Sequence, residues 1–355
     1  MNPETSNERI TLADVAARAG VSLMTVSRVV NDRPGVGIQT RERVREAIDH
    51  LGYRPNIVAQ GLKAASSRTI GLMIPDVTNP YFPEIVRGAE DIAIEHGYTL
   101  LLTSAIEDTH RETQAMQTFE DHLVDGVIAC SPRLENSELY PLLKRQRAAV
   151  LVNRRSDPSF AGSVRVDHEL GARLLLRHLH SIGCRRPAFL SGPAHSHAGR
   201  ERLLGLEREA NDLDIELPRS RVHACPPTVE GGAKAAREML QRQPHIDSLI
   251  CFNDLVAAGA LQSLKDLGVR VPTEIAVTGY DDILFAKMFT PGLTTIRAPT
   301  YEIGKQAVTM LFDRMQGRGR GIDIVLQPEL FERGSTIGFD AKRAERAAAR
   351  RADEQ

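Results

Sequence analysis

From Thr69 onward, short apolar runs of strand length alternate with amphipathic helical segments, and this alternation is the strongest constraint on the fold. The first strand candidates are IGLMIP, YTLLLTS, DGVIACS and AAVLVN, with helices near 81–96, 110–123 and 136–146. The second series is RPAFLSG, RVHAC, SLICF and EIAVTG, with helices near 168–182, 198–212, 229–242 and 254–267. Strands that are apolar on both faces and separated by helices indicate doubly wound parallel sheets. We therefore expect an α/β core of two similar lobes, with ligand crevices at the carboxyl ends of their strands.

The end of the chain connects these lobes in the expected architecture. One more helix near 301–315 and two short strands are predicted to cross back between them. The core then spans 69–340, with an N-subdomain at 69–166 and 297–326 and a C-subdomain at 167–296 and 327–340. The tail 341–355 is rich in Arg, Ala and Glu without an apolar period, so we expect it to be disordered.

The first 54 residues have a different pattern, that of short helices. Thr11 and Asp14 predict a capping box ahead of the first helix, and Gly20 predicts its end. Ser22 predicts the cap of a second helix over 23–30. The layout is that of a helix-turn-helix, in which the second helix can enter a DNA major groove; an ordinary helical hairpin is the alternative. The following segment, 55–68, has the Pro start and Ala-Ala-Ser-Ser end of a short helix and linker.

Composition bounds the class of protein. The chain has 355 residues and no apolar run near the roughly 20 residues of a membrane span. Its start, MNPETSNERI, lacks a secretory apolar region, so we expect a cytoplasmic protein. The four cysteines are scattered without a CxxC pair, which indicates neither a zinc site nor a disulfide framework. Cys130, Cys184 and Cys251 lie in or beside apolar segments, which predicts buried thiols. The net charge of −1 gives DNA binding no support by itself.

The exact amino-acid sequence of the N-terminal segment narrows the class of protein further. TLADVAARAGVSLMTVSRVVN, then TRERVREAIDHLGYRPN and VAQGLK, closely resembles the start of the lactose-repressor/galactose-repressor (LacI/GalR) family. The resemblance continues through DVTNPYF, FNDLVAAGAL, GYDD and PGLTTI, up to about Asp340. It implies a helix-turn-helix domain at 1–54, a hinge helix and linker at 55–68, and a two-lobed periplasmic-binding-protein-like core that binds an effector and dimerises.

The resemblance also implies which residues contact DNA. Leu23, Met24 and Arg28 match the recognition-helix positions that read base edges. Arg28 can donate two hydrogen bonds to guanine, whereas Leu23 and Met24 read only shape and thymine methyl groups. Polar residues around the two helices complete this set: Thr11, Ser22, Thr25, Ser27 and Asn31.

The segment 56–63 resembles the hinge helix of the family. Asn56, Ala59 and Leu62 are the positions that the resemblance places on DNA. Leu62 matches the apolar wedge that enters the minor groove, unstacks a base step and kinks the duplex. Gly61 costs about 1 kcal/mol of helix propensity relative to Ala. That cost fits a segment that becomes helical only on DNA and in a dimer.

The family binds its effector between the two core lobes, and the matching positions here each follow a strand or open a helix. They are Asn79, Tyr81, Phe82, Asn153, Arg202, Asn253 and Asp281. Asp and Arg can each hold two hydroxyl groups, Asn can donate or accept, and aromatic faces cover the apolar side of a sugar ring. The resemblance thus predicts a sugar or sugar-like effector, with no metal and no cofactor.

Several of these residues have plainer interpretations. Asp281 and Asp282 could form a carboxylate pair for a metal or for acid–base chemistry. Asn253 could serve only as a helix cap. His195 and His197 could suggest a metal, although a solvated loop without a third ligand is the alternative that we favour.

Two further features concern the kind of effector. Tyr81 and Phe82 could be core aromatics with no ligand contact. Family members that bind aromatic effectors often carry an aromatic residue where this chain has Pro227, which argues against a purine-like ligand. Arg154 and Arg155, next to Asn153, suggest an anionic effector such as a sugar acid or phosphate as an alternative hypothesis.

The resulting functional expectation is a sequence-specific DNA-binding transcriptional regulator. We expect a homodimeric repressor of carbohydrate-metabolism genes, since a palindromic operator needs two recognition helices, and we expect its operator affinity to be controlled allosterically by the effector. The alternative within regulators is a global carbon-catabolite regulator that uses a protein corepressor. A periplasmic sugar-binding protein would need a signal peptide. An enzyme is disfavoured because the chain has no P-loop, GxSxG, HExxH or dinucleotide turn.

Overall fold

The computed structural model describes residues 10–54, 66–318 and 322–353. The chain divides into two compact units, Met1–Ser67 and Arg68–Gln355. The predicted hinge contacts Asn56, Ala59 and Leu62 lie outside the described residues. Within the described ranges, no helix combines the length and apolar character that a membrane span requires.

The N-terminal unit contains three helices in its described part: α1 (Leu12–Ala19), α2 (Leu23–Val30) and α3 (Ile38–Leu51). The predicted capping box is confirmed, because the Thr11 backbone N–H donates to the Asp14 carboxylate at 2.8 Å and the Asp14 N–H donates to the Thr11 hydroxyl at 3.4 Å. Gly20 ends α1 at a φ of 67°, a left-handed conformation that side chains disfavour.

One apolar side chain from each helix meets at the centre of this unit. Val15 of α1, Val26 of α2 and Val44 of α3 are completely buried. Burying a valine side chain contributes about 1.5–3 kcal/mol. This small core fixes the angle between α1 and α2 that the helix-turn-helix layout requires.

The core unit is built from alternating strands and helices. Its described strands are β1 (Thr69–Ile74), β2 (Thr99–Ser104), β3 (Gly126–Cys130), β4 (Ala149–Val152), β5 (Gly162–Val166), β6 (Pro187–Leu190), β7 (Val222–His223), β8 (Ser248–Cys251), β9 (Ala276–Thr278), β10 (Thr295–Arg297), β11 (Asp323–Leu326) and β12 (Glu329–Phe331). Its described helices are α4 (Tyr81–Glu95), α5 (Thr109–Asp121), α6 (Asn136–Lys144), α7 (His168–Ser181), α8 (His197–Asp212), α9 (Val229–Arg242), α10 (Asp254–Asp266), α11 (Thr300–Met315) and α12 (Ala341–Asp353).

The first lobe is a parallel sheet in the order β11-β5-β4-β3-β1-β2 with helices on both faces. Alternate residues of β1 show why helices cover both faces of the sheet. Ile70 and Leu72 pack in the cluster with residues of α4 and α11, whereas Met73 packs in the cluster with Phe119 of α5. Because successive side chains point to opposite faces, a strand that is apolar at every position must be covered on both sides.

The second lobe repeats this arrangement with a parallel sheet in the order β7-β6-β8-β9. Phe189 of β6 packs in the cluster with residues of α7 and α8, and its neighbour Leu190 packs in the cluster with residues of α9 and α10. Strands β10 and β12 form a separate antiparallel pair on the segments that cross between the lobes. The predicted two-lobed, doubly wound fold class is therefore present.

The structure differs from the sequence prediction at strand β5 and at the C-terminal tail, and it has three short strands after Thr294 where two are predicted. Strand β5, GSVRV, is missing from the predicted strand series because Ser163 and Arg165 interrupt its apolar run. Arg165 of this strand instead donates to Asp323 on the neighbouring β11 at 3.1 Å. The alternation of polar and apolar residues in β5 reflects its place near the sheet edge, where one face carries an ion pair.

The expectation of a disordered tail is wrong for residues 341–353, which form α12. One face of this helix is buried through three small residues, Ala344, Ala347 and Ala348. Arg351 then donates to the carbonyl oxygens of Pro244 and Ile246, at 3.0 and 3.1 Å. Alanine methyl groups at helical spacing make an apolar stripe that a search for large hydrophobic residues does not detect.

Candidate functional site

The exposed face of α2 carries apolar side chains that a helix in water would ordinarily bury. Leu23 is 53% exposed and Met24 is 68% exposed, and Arg28 is exposed on the same helix. Val26 and Val29 occupy the opposite, buried face. An exposed apolar patch beside a guanidinium group is typical of a surface that binds a partner, and these residues match the predicted base-reading positions.

The polar residues around α2 are engaged in local hydrogen bonds. Ser22 caps the helix, since its hydroxyl accepts from the Thr25 N–H at 3.2 Å. Asn31 donates from its side chain to the Ser27 carbonyl oxygen at 2.7 Å, and Thr11 belongs to the capping box of α1. These contacts give each residue a structural role, and a phosphate contact for any of them stays a prediction.

A cavity lies in the core unit, with walls from both lobes. Seven of its lining residues are the predicted effector residues: Asn79, Tyr81, Phe82, Asn153, Arg202, Asn253 and Asp281. The other lining residues are Glu107, Ser131, Arg133, Ser196, Ala198, Pro227 and Phe252. The structure therefore brings together in one cleft all the residues that the resemblance selected from segments about 200 positions apart.

Four lining residues adopt a left-handed backbone within three residues of a strand's carboxyl end. The φ angles are 57° at Glu107, 46° at Ser131, 55° at Asn153 and 110° at Asp281. These residues follow β2, β3, β4 and β9 in that order. Non-glycine residues in sparsely populated backbone regions cost on the order of 1–3 kcal/mol each and concentrate at functional sites. These four strained residues of the lining lie at the carboxyl ends of strands of both sheets.

Arg202 of α8 is the central charged group on the wall formed by the second lobe. Its guanidinium carbon lies 3.6 Å from the ring centroid of Tyr280 and 4.8 Å from that of Phe252. It donates to the Phe252 carbonyl oxygen and lies 3.7 Å from the Asp281 carboxylate. Stacking against two aromatic rings fixes the plane of the guanidinium group, so its remaining donors have a set direction.

Asp281 is buried beside Arg202, and the two effects oppose each other. Burial raises the pKa of Asp281 from its ordinary value of 3.8 to about 7, while the positive charge of Arg202 acts to lower it. The carboxyl group therefore titrates near neutral pH, at the wall of the cavity.

The neighbouring Asp282 has a different role, because its carboxylate is held by the crossing segments. It accepts from Arg297 of β10 at 2.7 Å and from Arg333, just after β12, at 2.7 Å. The Asp281 backbone N–H donates to the Ile296 carbonyl oxygen at 2.7 Å. Asp282 is committed to two arginines, so Asp281 and Asp282 do not form a shared metal-binding pair, and no cluster of three potential ligands for a metal occurs in the described ranges.

Asp254 at the start of α10 strengthens the same attachment. Its carboxylate accepts from the Ile283 backbone N–H at 2.8 Å and from the Thr295 hydroxyl of β10 at 2.6 Å. Asp254 is completely buried, and burial raises the pKa of its carboxyl group well above the ordinary value. The turn that carries Asp281 is thus fastened on both sides to the segments that cross between the lobes.

The wall formed by the first lobe is organised around Tyr81. The Asn153 side chain donates to the Tyr81 hydroxyl at 2.8 Å, and the Tyr81 N–H donates to the Asn79 side chain at 3.1 Å. Tyr81 and Phe82 meet edge to face, with ring centroids 5.1 Å apart. Both rings are buried and both line the cavity, so the alternatives of core packing and ligand contact are compatible.

Asn253 both caps a helix and lines the cavity. Its side-chain oxygen accepts from the Val256 N–H at 2.9 Å and caps α10, as the sequence predicts. Its amide nitrogen lies 3.4 Å from the Pro227 carbonyl oxygen across the cavity wall. The cap therefore fixes the direction of the amide group that faces Pro227.

Arg154 and Arg155 give the hypothesis of an anionic effector no support. Arg154 is buried and donates to the Leu134 carbonyl oxygen at 2.6 Å and to the Asn136 side chain at 2.6 Å. Arg155 is largely exposed and lies 3.8 Å from Asp323. Neither lines the cavity.

Sequence reasoning missed the charged pair Glu107 and Arg133, which also line the cavity. The signal that could have found them is their position shortly after predicted strands, the same rule that selects Asn153. Their pairing joins two separate loops and is not visible in either segment alone.

Comparisons with known proteins agree with this geometry. The family described as "Bacterial regulatory proteins, lacI family" matches residues 11–56, and "Periplasmic binding protein-like domain" matches residues 176–336. The chain is 34% identical to the HTH-type transcriptional regulator RegA of Clostridium saccharobutylicum, over 92% of this chain and 99% of that protein. The chain belongs to the LacI family of bacterial regulatory proteins.

Other members of the LacI family extend the likeness. The ribose operon repressor of Bacillus subtilis (strain 168) is 35% identical over 85% of this chain and 90% of its own length. Among solved structures, the lac repressor dimer bound to operator and the anti-inducer ONPF superposes with a TM-score of 0.85, at 28% identity, covering 93% of this chain and 100% of that one. These relatives are named as regulators of transcription rather than as enzymes. This LacI-family chain is a DNA-binding transcriptional regulator, as the sequence predicts.

Proposed function

We propose that this regulator binds an uncharged sugar or sugar-like molecule in the cleft between its lobes, and that binding changes its affinity for an operator. The observation that carries the proposal is the composition of the cleft. Hydrogen-bonding side chains from both lobes surround one cavity, together with three aromatic rings, and each guanidinium group in the lining lies beside a carboxylate. Hydroxyl groups both donate and accept, so a polyhydroxyl ligand fits this mixture.

Some of the matched proteins carry names of the carbohydrate class. One is named a ribose operon repressor, and a structural neighbour is the lac repressor. We accordingly favour repression of carbohydrate-metabolism genes, with a global regulator that needs a protein corepressor as the competing possibility.

The attachment of Asp281 to the crossing segments suggests how a ligand acts on the rest of the core. A ligand that bonds Asp281 and residues of the first lobe favours one arrangement of the two lobes over another. Asp282 connects the same turn to β10 and to the residue after β12, through Arg297 and Arg333. A ligand with different affinities for two arrangements shifts their populations by that difference. Ligand binding in the cleft thereby acts on the crossing segments directly, through the turn that carries Asp281 and Asp282.

The operator side of the proposal uses two copies of the chain. One exposed α2 presents Leu23, Met24 and Arg28, and a palindromic operator presents two equivalent half-sites. Asn56, Ala59 and Leu62, outside the described residues, complete the proposed DNA contacts. The lac repressor structure is a dimer on operator, which supports a homodimer here.

The proposal is tested with the purified full-length chain and genomic DNA fragments. Electrophoretic mobility shifts, at modest salt and with or without a panel of sugars that includes D-ribose, should reveal a preferred fragment whose affinity changes with one sugar. If a fragment is preferred and responds only when a cell extract supplies a protein, the corepressor alternative replaces the sugar effector. If no fragment is preferred under any condition, the proposal is wrong.

A substitution in an exposed apolar cluster tests the homodimer. Leu284, Phe285 and Met288 lie within five residues and are exposed, with Met288 at 66%. Such a cluster is typical of a subunit interface. We expect Phe285→Asp/Met288→Asp to be monomeric in analytical ultracentrifugation at micromolar concentration, and to bind operator at least tenfold more weakly. Leu123→Asp, an equally exposed leucine elsewhere in the core, is the control; a double variant that remains dimeric would place the interface elsewhere.

The raised pKa of Asp281 predicts that effector affinity depends on pH. A carboxylate that accepts hydroxyl hydrogen bonds must be ionised, and a group with a pKa of about 7 is mostly protonated at about pH 6. We expect roughly tenfold weaker binding at about pH 6 than at about pH 8, because the competent form is scarce at the lower pH. His197, between two lining residues, stays neutral in this window because burial, aided by nearby arginines, lowers its pKa to about 4. Calorimetry across this range should lose the trend in Asp281→Asn.

The raised pKa of Asp281 has the opposite effect on folding stability, which should fall as the pH rises. Its folded pKa lies above the unfolded value, so the folded chain holds more protons than the unfolded chain between about pH 4 and pH 7. The contribution of Asp281 to the free energy of unfolding is present below this window and is lost as the pH rises through it. Chemical denaturation of wild type and Asp281→Asn over this window checks the sign.

A further inference from the structure

The wall formed by the first lobe contains its own ion pair, separate from Arg202 and Asp281. Arg133 donates from Nε to Glu107 Oε2 at 2.5 Å and from Nη2 to Glu107 Oε1 at 3.0 Å. Both residues line the cavity. Two parallel hydrogen bonds between a guanidinium group and a carboxylate are a strong and directional contact, so Glu107 determines how Arg133 is presented to the cleft.

The pair is held rigidly by buried groups. The Glu112 carboxylate accepts from the Arg133 backbone N–H at 2.7 Å and from the Leu134 N–H at 2.9 Å. Arg133 also donates from Nη1 to the Ser131 carbonyl oxygen at 2.9 Å. The Arg133 side chain is 7% exposed and that of Glu107 is 25% exposed. Arg133 is therefore positioned before any ligand arrives, and Glu107 is bonded to it by two hydrogen bonds.

The unused hydrogen-bond donors of Arg133 are what this pair offers a ligand. A guanidinium group has five N–H donors, and Glu107 and Ser131 together take three of those of Arg133. Two donors remain for a ligand, next to a carboxylate that can accept. The pair can thus bind hydroxyl groups, but the positive charge of Arg133 is already balanced.

The charged side chains in the described lining of the cavity form two pairs. Arg133 pairs with Glu107 on the first lobe, and Arg202 pairs on the second lobe with Asp281, whose raised pKa leaves it only partly ionised near neutral pH. An anion bound to Arg133 would lie beside the carboxylate of Glu107. The two negative charges would repel each other strongly, because both would be partly shielded from water. The guanidinium group alone would be a suitable phosphate or carboxylate site.

We propose that Glu107 is a specificity-determining residue that keeps anionic metabolites, such as sugar phosphates and sugar acids, out of the cleft by neutralising Arg133. This inference rests on the proposed function, in which the cleft is the effector site, and it defines the class of ligand admitted. Removal of the Glu107 charge exposes a rigidly held guanidinium group with unused donors. The cleft then gains affinity for an oxyanion that the wild type rejects.

The test uses inorganic phosphate as the probe and the full-length chain at constant ionic strength. We expect Glu107→Gln to bind phosphate at one saturable site, at least tenfold more tightly than the wild type binds it there, in isothermal titration calorimetry. Glu107→Gln/Arg133→Gln should lose this gain, which also separates it from phosphate bound by arginines elsewhere. Glu120→Gln is the matched control, since Glu120 lies 3.6 Å from Arg145 at a site outside the cavity, and it should behave as wild type.

A second variant covers a failure to fold. Asn tolerates the left-handed backbone that residue 107 adopts, so Glu107→Asn removes the charge at little conformational cost and should show the same gain. Thermal unfolding identifies which of the two variants is folded. Phosphate binding by the wild type as tight as in these variants, or no gain in a folded variant, overturns the proposal.

The outcomes separate this inference from the proposed function. A wild type whose operator affinity responds to a neutral sugar, together with a folded Glu107→Gln that gains no phosphate site, leaves the effector cleft intact and removes the role of Glu107. A phosphate site that depends on Arg133, in a chain that responds to no sugar, establishes the charge masking and removes the proposed effector class.

Discussion

Arg202→Gln is expected to leave operator binding intact and to abolish the response to effector. Arg202 supplies oriented donors at the cavity and the only guanidinium group within ion-pair distance of Asp281 in the described residues. Removing one partner of a buried ion pair costs on the order of 3–5 kcal/mol, part of it as lost stability. Effector affinity should therefore fall by roughly 100-fold or more, as measured by calorimetry.

The control for this substitution lies on the same helix. Arg200 is exposed, lies 3.4 Å from the Ala194 carbonyl oxygen and does not line the cavity. Arg200→Gln should bind effector as the wild type does. A normal effector response in Arg202→Gln, with its operator affinity unchanged, would show that ligand recognition does not use this guanidinium group.

Shortening the chain to residues 68–355 is expected to remove operator binding entirely and to preserve effector binding. The two units have separate apolar cores, with Val15, Val26 and Val44 in the N-terminal unit alone. The core unit holds both sheets and every lining residue of the cavity. A domain with its own core can fold alone, so effector affinity should change by less than about threefold within the usual error of additivity.

Two measurements decide this prediction. Mobility shifts with the preferred fragment report DNA binding, and calorimetry with the effector reports the cleft. Thermal unfolding of the shortened chain, with and without effector, provides the check on folding, because a ligand that binds only the folded state raises its stability. Loss of effector binding in a folded shortened chain would mean that the N-terminal unit contributes to the cleft.

Most of the core architecture was predictable because its strands are apolar on both faces. IGLMIP and DGVIACS have no polar residue inside the strand, so their length and burial leave few alternatives to a covered parallel strand. Strand β5 was missed because its Ser163 and Arg165 break that pattern. The tail was misjudged because a stripe of alanines buries little area per residue, and its packing depends on a surface that local sequence does not show.

The cleft was predictable where a residue's position within its own element determines its direction. Asn153 follows a strand and Asn253 caps a helix, so both project from a sheet edge. Glu107 and Arg133 were not predicted as a pair, since their contact joins loops after β2 and β3 and depends on Glu112 of α5. Long-range polar contacts of this kind have no periodic signature in the sequence.

The fastening of the Asp281 turn has a consequence for how such a regulator can change over generations. Asp282 joins the turn that carries Asp281 to the crossing segments through Arg297 and Arg333, so under the proposed function a substitution there would alter ligand recognition and its transmission together. Glu107 and Arg133 of the first lobe bond each other and make no described contact with those segments. Under the proposed function, new ligand specificities should therefore arise through substitutions in the cavity wall of the first lobe. The cavity wall of the second lobe stays constrained by its attachment to the crossing segments.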